Sequence, residues 1–421
     1  MYFYSALNRP NGFNELHGVF LWAGLPYFMR LRALLISLVN RMSPKFWLIS
    51  AISICCAGAQ TRAIQVTETA GIRRPAFPTD ARVHFARGVL PARGNARLLF
   101  GGSPAPAQFT AETLWPDGSV EWLDVDWNVT IGPGEAQSYT LEYGARVIAA
   151  ETPRGLAVTE DSGGVHVGSV RLNKAGSPLL ASVKYRGEDI GQGLNGLYLT
   201  DDRGQTHDLS KATSLRTEIV KRGPLLAVIR YTGSMVIDGG YSVPFVLTVE
   251  MPNSKSMVKI LASIEDPARR LREIAVATPL ALGPLPWVWD FGTSRWTYGQ
   301  LRNATDSVTL TQEPPGDWTV RSNDQLYETS PPGHNDPIQW GHIQDGREVV
   351  AFILERHANQ NGTWRVTFQG DGQAAVRFTP AAPSTHHEIA VYEHFVTSPV
   401  QIGAATSPIS LLSPLKVEVG R

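Results

Sequence analysis

The chain has 421 residues, 43% of them hydrophobic and 18% charged, with 39 Gly and 29 Pro. Formal net charge is zero, so no basic surface advertises nucleic acid, and the apolar content is too high for a disordered chain. Only two cysteines occur, adjacent at Cys55 and Cys56, which excludes a disulfide scaffold and a Cys-rich zinc module. Such length suggests more than one domain. Frequent Gly and Pro favour short strands and turns over long helices.

From Met42 to Ala59 the sequence reads as an export signal. Lys45 precedes an apolar run from Phe46 to Cys56, and Ala57-Gly58-Ala59 supplies the small-x-small cleavage pattern. That run is shorter than the about 20 residues a bilayer span needs. Met42 reads as the start, Met1–Arg41 as an upstream extension, and cleavage is expected after Ala59. Two rival readings stay open: an anchor that also uses Leu31–Val39, and a lipidated cysteine. After export the remainder carries 33 basic and 37 acidic residues, and neither cysteine. The expected location is periplasmic or extracellular, with no stable membrane insertion after cleavage.

Beyond Val66 strand patterns are dense. Trp115-Pro116-Asp117-Gly118-Ser119 is a tight turn: Pro presets its first central position and Gly accepts positive φ. It feeds a strictly alternating strand from Glu121 to Val129. Leu123, Val125, Trp127 and Val129 share one face, with Trp122, Asp124 and Asp126 on the other. Gly132-Pro133-Gly134 turns into a strand from Gln137 to Tyr143, and Gly144–Gly155 reads as a boundary. Further strands are predicted at Leu225–Tyr231, Tyr241–Met251, Ser256–Ile264, Val349–Leu354, Trp364–Phe368 and Glu388–Val396. Asp266–Ile274 suits a short helix or a loop. Leu282–Tyr298 reads as an irregular, aromatic-rich loop packed over a surface or cleft.

The stretch Thr67-Glu68-Thr69-Ala70-Gly71-Ile72-Arg73-Arg74-Pro75, then Phe85-Ala86-Arg87-Gly88, Gln108, Trp115 to Trp122, and Tyr139 to Gly144 resembles the N-terminal RIFT-type barrel of the exo-rhamnogalacturonan lyase family. Arg222-Gly223-Pro224-Leu225, the Tyr241–Ile260 strand pair, Trp340-Gly341 and Thr385-His386-His387-Glu388 are similar, more loosely, to its central β-sandwich. The resemblance covers most of the chain after the signal. It implies an all-β fold, a small RIFT-type barrel over residues 60–147 followed by a larger antiparallel sandwich over 148–421, with 1–59 as extension and signal. The family also carries a helical α/α toroid. This sequence stops at Arg421 without one, so no catalytic position is carried over.

The function implied is an exported polysaccharide lyase-like protein, acting on or binding acidic glycans of the rhamnogalacturonan or pectin type. Its partner would be a polysaccharide or oligosaccharide, with no nucleic acid. The alternative is a non-catalytic carbohydrate-binding or accessory protein. Uronate β-elimination needs a base and a group that neutralises the uronate carboxylate. The C-terminal third supplies His334, His342, Arg356, His357, His386, His387, Tyr392 and His394. His386, Glu388, Tyr392 and His394 share a strand face, but His386 and His394 would stand about 26 Å apart, too far for one ion. No metal and no cofactor is expected, and nothing in the sequence bears on oligomeric state. Tyr392 and His394, neighbours on that face, are the catalytic candidates. Trp287, Trp289 and Trp296, with Arg295 beside them, are the substrate-binding candidates: flat indoles match the apolar face of a sugar, though such rings also fill cores. The ligand is expected between the Trp287–Tyr298 loop and the Tyr392 strand. Asp124 and Asp126, two residues apart on one face, are a weak calcium pattern.

Overall fold

In the computed structural model, residues 59–420 are described, apart from 93, 152–153, 176–178, 186–187, 190–195, 281, 294–296, 315, 334–337, 356–360 and 398–406. The export signal and the upstream extension therefore fall almost wholly outside the described residues. So do Arg295, Trp296, His334, Arg356 and His357. The described chain is all-β and antiparallel, with one short 3-10 turn at Leu209–Lys211 and one short helix, Pro408–Leu412.

The N-terminal part folds into two sheets. One has five strands in the order Lys416–Val419, Gln60–Thr67, Ala136–Gly144, Asn95–Phe100 and Ser103–Ala105. The other places Val120–Ile131 between Arg74–His84 and Ala107–Leu114. The alternation read from the sequence sets their packing. Leu123, Val125, Trp127 and Val129 point into a core with Ile64, Val66, Val83, Phe85 and Leu141. The tight turn forms as expected: Gly118 takes φ +82°, the Gly118 N–H donates to the Trp115 carbonyl at 2.8 Å, and the Trp115 indole donates to the Phe85 carbonyl at 3.0 Å. The end of the chain returns to this part. Lys416–Val419 pairs with Ile64–Thr67, a long-range closure that no local pattern announces.

Buried Glu68 and Arg74 fix this return. Glu68 accepts N–H bonds from Ala70, Gly71, Ile72 and Gly134 at 2.8–3.2 Å. Burial alone would push its carboxyl up, but these donors and Arg74 hold it down at about 2. Arg74 bonds Glu68 at 3.2 Å and donates to the carbonyls of Ser410 and Ser413. The C-terminal helix is thereby pinned to the N-terminal sheets.

The remainder is a sandwich of a nine-stranded and an eight-stranded sheet, with a further five-stranded sheet formed by the strands between Val158 and Asp189. Their inner faces share one core that includes Ile229, Leu247, Ile260, Ile274, Phe352, Val366 and Val391. Two local expectations change. Asp266–Ile274 is not helical: Leu271–Pro279 is a strand beside Gly196–Asp201, because Leu271, Ile274 and Val276 are needed by the core. The Leu282–Tyr298 segment contains a strand, Trp287–Phe291, which pairs with Thr297–Leu301. Its alternation over five residues puts Trp287, Trp289 and Phe291 inside.

Candidate active site at the junction of sheet and sandwich

The outer face of the nine-stranded sheet is covered by the strands Arg74–His84 and Val120–Ile131 and by the C-terminal helix. Cross-strand registers align one row of outward residues: Lys221, Val228, Glu250, Lys259, Tyr392, Ile353 and Trp340. Strand parity explains the row. Phe245, Leu247, Val249 and Met251 face inward, so Glu250 faces out. Ile389, Val391 and Phe395 likewise face inward and turn Tyr392 outward.

Between this row and the N-terminal sheet lies a cavity of about 300 Å³, lined among others by Asp80, Asp126, Glu250, Lys259, Glu355 and Tyr392. Its apolar border is the cluster Phe77, Met257, Ile353, Tyr392 and Leu411. Several polar contacts fix the geometry around it. Gln108 accepts from the N–H groups of Leu225 and Leu226 at 2.9 and 3.1 Å, and donates to the Leu226 carbonyl at 2.9 Å. Lys255 donates to the Pro75 carbonyl at 2.8 Å. The Asn128 amide donates to Asn253 at 3.0 Å.

The charges form two groups, the first largely buried and the second partly exposed. Lys221 Nζ lies 2.8 Å from Asp126 Oδ1 and 3.2 Å from Asp124 Oδ2. An ammonium therefore sits where the two aspartates had suggested calcium. Burial pushes Asp126 up to about 6, with Lys221 pulling it down and Asp80 and Asp124 adding to the rise. In the second group Lys259 Nζ is 2.8 Å from Glu355 Oε2 and stands 5.0 Å from the centre of the Tyr392 ring. The Tyr392 hydroxyl donates to the same Glu355 oxygen at 3.0 Å. Burial pushes Tyr392 up to about 12, against the pull of Lys259 and with the help of Glu355. The phenol thus keeps its proton at neutral pH and acts as a donor. Lys259 is depressed by burial, but Tyr392, Glu355 and Glu250 reverse this and raise it, so it stays charged. Glu250 is raised by burial, while Lys259 and Lys221 pull it down. Among the described residues no hydrogen bond or ion pair ties its carboxyl. Its carboxyl is therefore available to exchange a proton inside the cavity.

Of the sequence candidates, Tyr392 lines this cavity and His394 does not. His394 projects from the same outer face two residues on, is 3% exposed, and stands in register with Met257 and Ala351. Trp287 and Trp289 do not take the expected role. They belong to the sandwich core at 6% and 1% exposure. Trp289 packs on Phe291 and Tyr327 at 5.5 and 5.3 Å, and the Trp287 indole donates to the Gly283 carbonyl at 2.6 Å. Their faces are closed to a sugar, on the opposite side of the sheet from Tyr392. The ligand position expected between them and Tyr392 is therefore corrected: odd positions of Trp287–Phe291 point inward. Asp290 of the same strand points outward, opposite His342 and Tyr298. His386 turns to Glu265 at 2.8 Å, and His387 is buried beside Asp266 at 3.7 Å. Among the described residues no group of three or more His, Cys, Asp or Glu side chains is placed to hold a metal ion.

Glu250, Lys259 and Glu355 were missed in the sequence, and Asp126 stood out there only as half of a weak calcium pattern. The available cue was a charged residue at the outward position of an otherwise apolar strand, as in Thr248-Val249-Glu250-Met251 or Val258-Lys259-Ile260.

No protein-family model matches the chain, and no curated protein matches it. Among solved structures, an alpha-mannosidase from Enterococcus faecalis V583 is similar over 86% of this chain, at TM-score 0.54 and 12% identity. A protein of glycosyl hydrolase family 38 from Enterococcus faecalis is similar over the same share, at TM-score 0.50 and 12% identity. This chain spans about half of each, 46% and 47% of their lengths. At such identity the likeness is one of fold: an antiparallel β-sandwich found in carbohydrate-active enzymes. Among the described residues no helix is long and apolar enough to cross a membrane.

Proposed function

We propose that this chain is an exported glycan-processing protein that seats a saccharide chain end in the cavity between the N-terminal sheets and the sandwich. We further propose that it is related to the exo-rhamnogalacturonan lyase family it resembles and acts on an acidic glycan. The observation that carries the reading is the combination in one cavity of Glu250, Lys259, Glu355 and Tyr392, a carboxyl with a raised pKa beside an ammonium-held phenol. Its volume of about 300 Å³ is at the small end of ligand cavities, which suits a chain end better than a running polymer. The sandwich shared with a mannosidase and a family 38 hydrolase supports the sugar class.

The roles follow from charge. Lys259 neutralises the uronate carboxylate and so acidifies the adjacent C–H. Glu250, raised by burial, takes that proton. Tyr392, protonated at neutral pH, gives its proton to the departing glycosidic oxygen. The C–H bond beside the carboxylate and the neighbouring C–O bond both break, and a double bond conjugated with the carboxylate forms between the two carbons. One proton ends on Glu250 and one on the released oxygen, and no water is consumed. A second reading has its own support. Lys259 is already paired with Glu355 and Lys221 with Asp124 and Asp126, an arrangement that also suits a binding-only protein.

Incubation with rhamnogalacturonan oligosaccharides, followed by ultraviolet absorbance, tests the reaction directly. Absorbance should rise with the wild type and vanish in Tyr392→Phe and Glu250→Gln, while saccharide affinity persists. Binding without absorbance selects the second reading. Absence of both refutes the proposal.

A further inference from the structure

The outer face of the eight-stranded sheet carries a separate cavity of about 240 Å³. It lies on the side of the sandwich away from the Tyr392 cavity and shares no residue with it. Cross-strand registers build it from two rows. Tyr198, Ala275 and Arg377 form one, and Ala277, Ala375 and Thr367 the next. Ile274, Val276, Ala374 and Val376 take the inward positions, so these alanines point out of the core. Yet Ala275 and Ala375 are each only 6% exposed. Side chains on both sides rise above them, and the methyls form the floor of a trough.

The walls are polar. Tyr198 stands on one side, with Arg377, Thr367, Gln369 and Gln373 on the other. Arg377 Nη1 donates to the Thr367 hydroxyl at 3.2 Å. Its Nε is 3.7 Å from Glu273 Oε1, a loose contact. The close partner of Glu273 is Arg365, at 3.0 Å. One carboxylate thus serves two guanidiniums, and Arg377 keeps donors for another acceptor. Asp208, opposite Tyr198, is engaged elsewhere: it caps the 3-10 turn by accepting from the Ser210 N–H at 2.7 Å.

We infer that this trough is a second saccharide site, taking one acidic sugar ring of a glycan. The ring's C–H face lies on the alanine methyls, its carboxylate meets Arg377 in a charge-assisted pair, and its hydroxyls meet the Gln and Thr side chains. A lipid or an apolar peptide would need a larger apolar wall than three methyls give. The inference rests on the trough's own chemistry and stands whether or not the Tyr392 cavity cleaves anything.

Calorimetric titration with trigalacturonate and with its methyl-esterified form tests it, the ester keeping shape and losing charge. Wild type should prefer the acid by about tenfold or more, the scale of a charge-assisted contact. Two binding events are expected, one in each cavity. Arg377→Gln should erase the acid preference of one of them with the melting temperature unchanged. Ala275→Leu, which fills the floor, should remove that same event for both forms and leave the other. Glu250→Gln in the other cavity should leave this binding as it is. Equal affinity for acid and ester in the wild type overturns the inference. So does binding that survives Arg377→Gln undiminished, binding lost only on Glu250→Gln, or no binding at all. If Ala275→Leu fails to fold, Arg377→Gln decides alone.

Discussion

Glu393 offers the sharpest test of the packing. It is 0% exposed on the inward face of its strand. One carboxyl oxygen accepts from the Thr278 hydroxyl across the sandwich, and among the described residues the other, Oε2, has no hydrogen-bond partner. Burial pushes the carboxyl up to about 7, with only the Thr278 bond opposing. An unfolded glutamate titrates near 4.5. Between these values the native state binds the extra proton, so its contribution to stability is full below the unfolded pKa and is lost as pH rises through about 7. Over the whole window the loss is about 3 kcal/mol, at about 1.4 kcal/mol per unit. From about pH 5.5 to about pH 8.5 it is about 2 kcal/mol by the same linkage.

Glu393→Gln cannot ionise, and its share of the pH dependence should vanish. Urea unfolding of both proteins at the two pH values reads this directly. The wild type should lose about 2 kcal/mol more than the variant on going to the higher pH. Asp126, raised to about 6, acts in the same direction in both proteins and cancels in the comparison. If the two proteins lose stability in parallel, burial does not hold the Glu393 carboxyl above its unfolded pKa and the reasoning fails.

Other substitutions separate core from site. Trp289→Ala should cost about 3–5 kcal/mol as a core truncation and leave saccharide affinity unchanged, read by thermal melting and titration. Lys221→Met strands Asp126 and Asp124 at the junction and should cost about 3–5 kcal/mol at neutral pH. Part of that cost should return on acidification, starting at a higher pH than the wild-type value of about 6, because Lys221 is one of the groups that hold Asp126 down; urea melts across pH check the recovery. Arg74→Met removes the donor to Ser410 and Ser413 and should speed amide hydrogen exchange in Leu411–Val419 well before the rest of the chain. Equal exchange in both proteins would show that Arg74 is not what holds the C-terminal segment.

The sequence by itself determined the strand content and the relative facing of neighbours within a strand. Leu123, Val125, Trp127 and Val129 share a buried face because side chains alternate with a period of two, and the Pro-Asp-Gly turn forms because Pro and Gly restrict φ locally. The same rule placed Tyr392 and His394 on one face. It did not say which face of a strand would meet the core. Trp287 and Trp289 alternate with Val288 and Asp290, and only the second sheet of the sandwich decided that the indoles turn inward. The grouping of Glu250, Lys259, Glu355 and Tyr392 likewise depends on strands that are distant in sequence yet paired in register. Lys221 meets Asp126 across 95 residues. Local periodicity fixes parity; hydrogen-bond register and the packing of sheet on sheet fix which charges meet, and those are set by the whole chain at once.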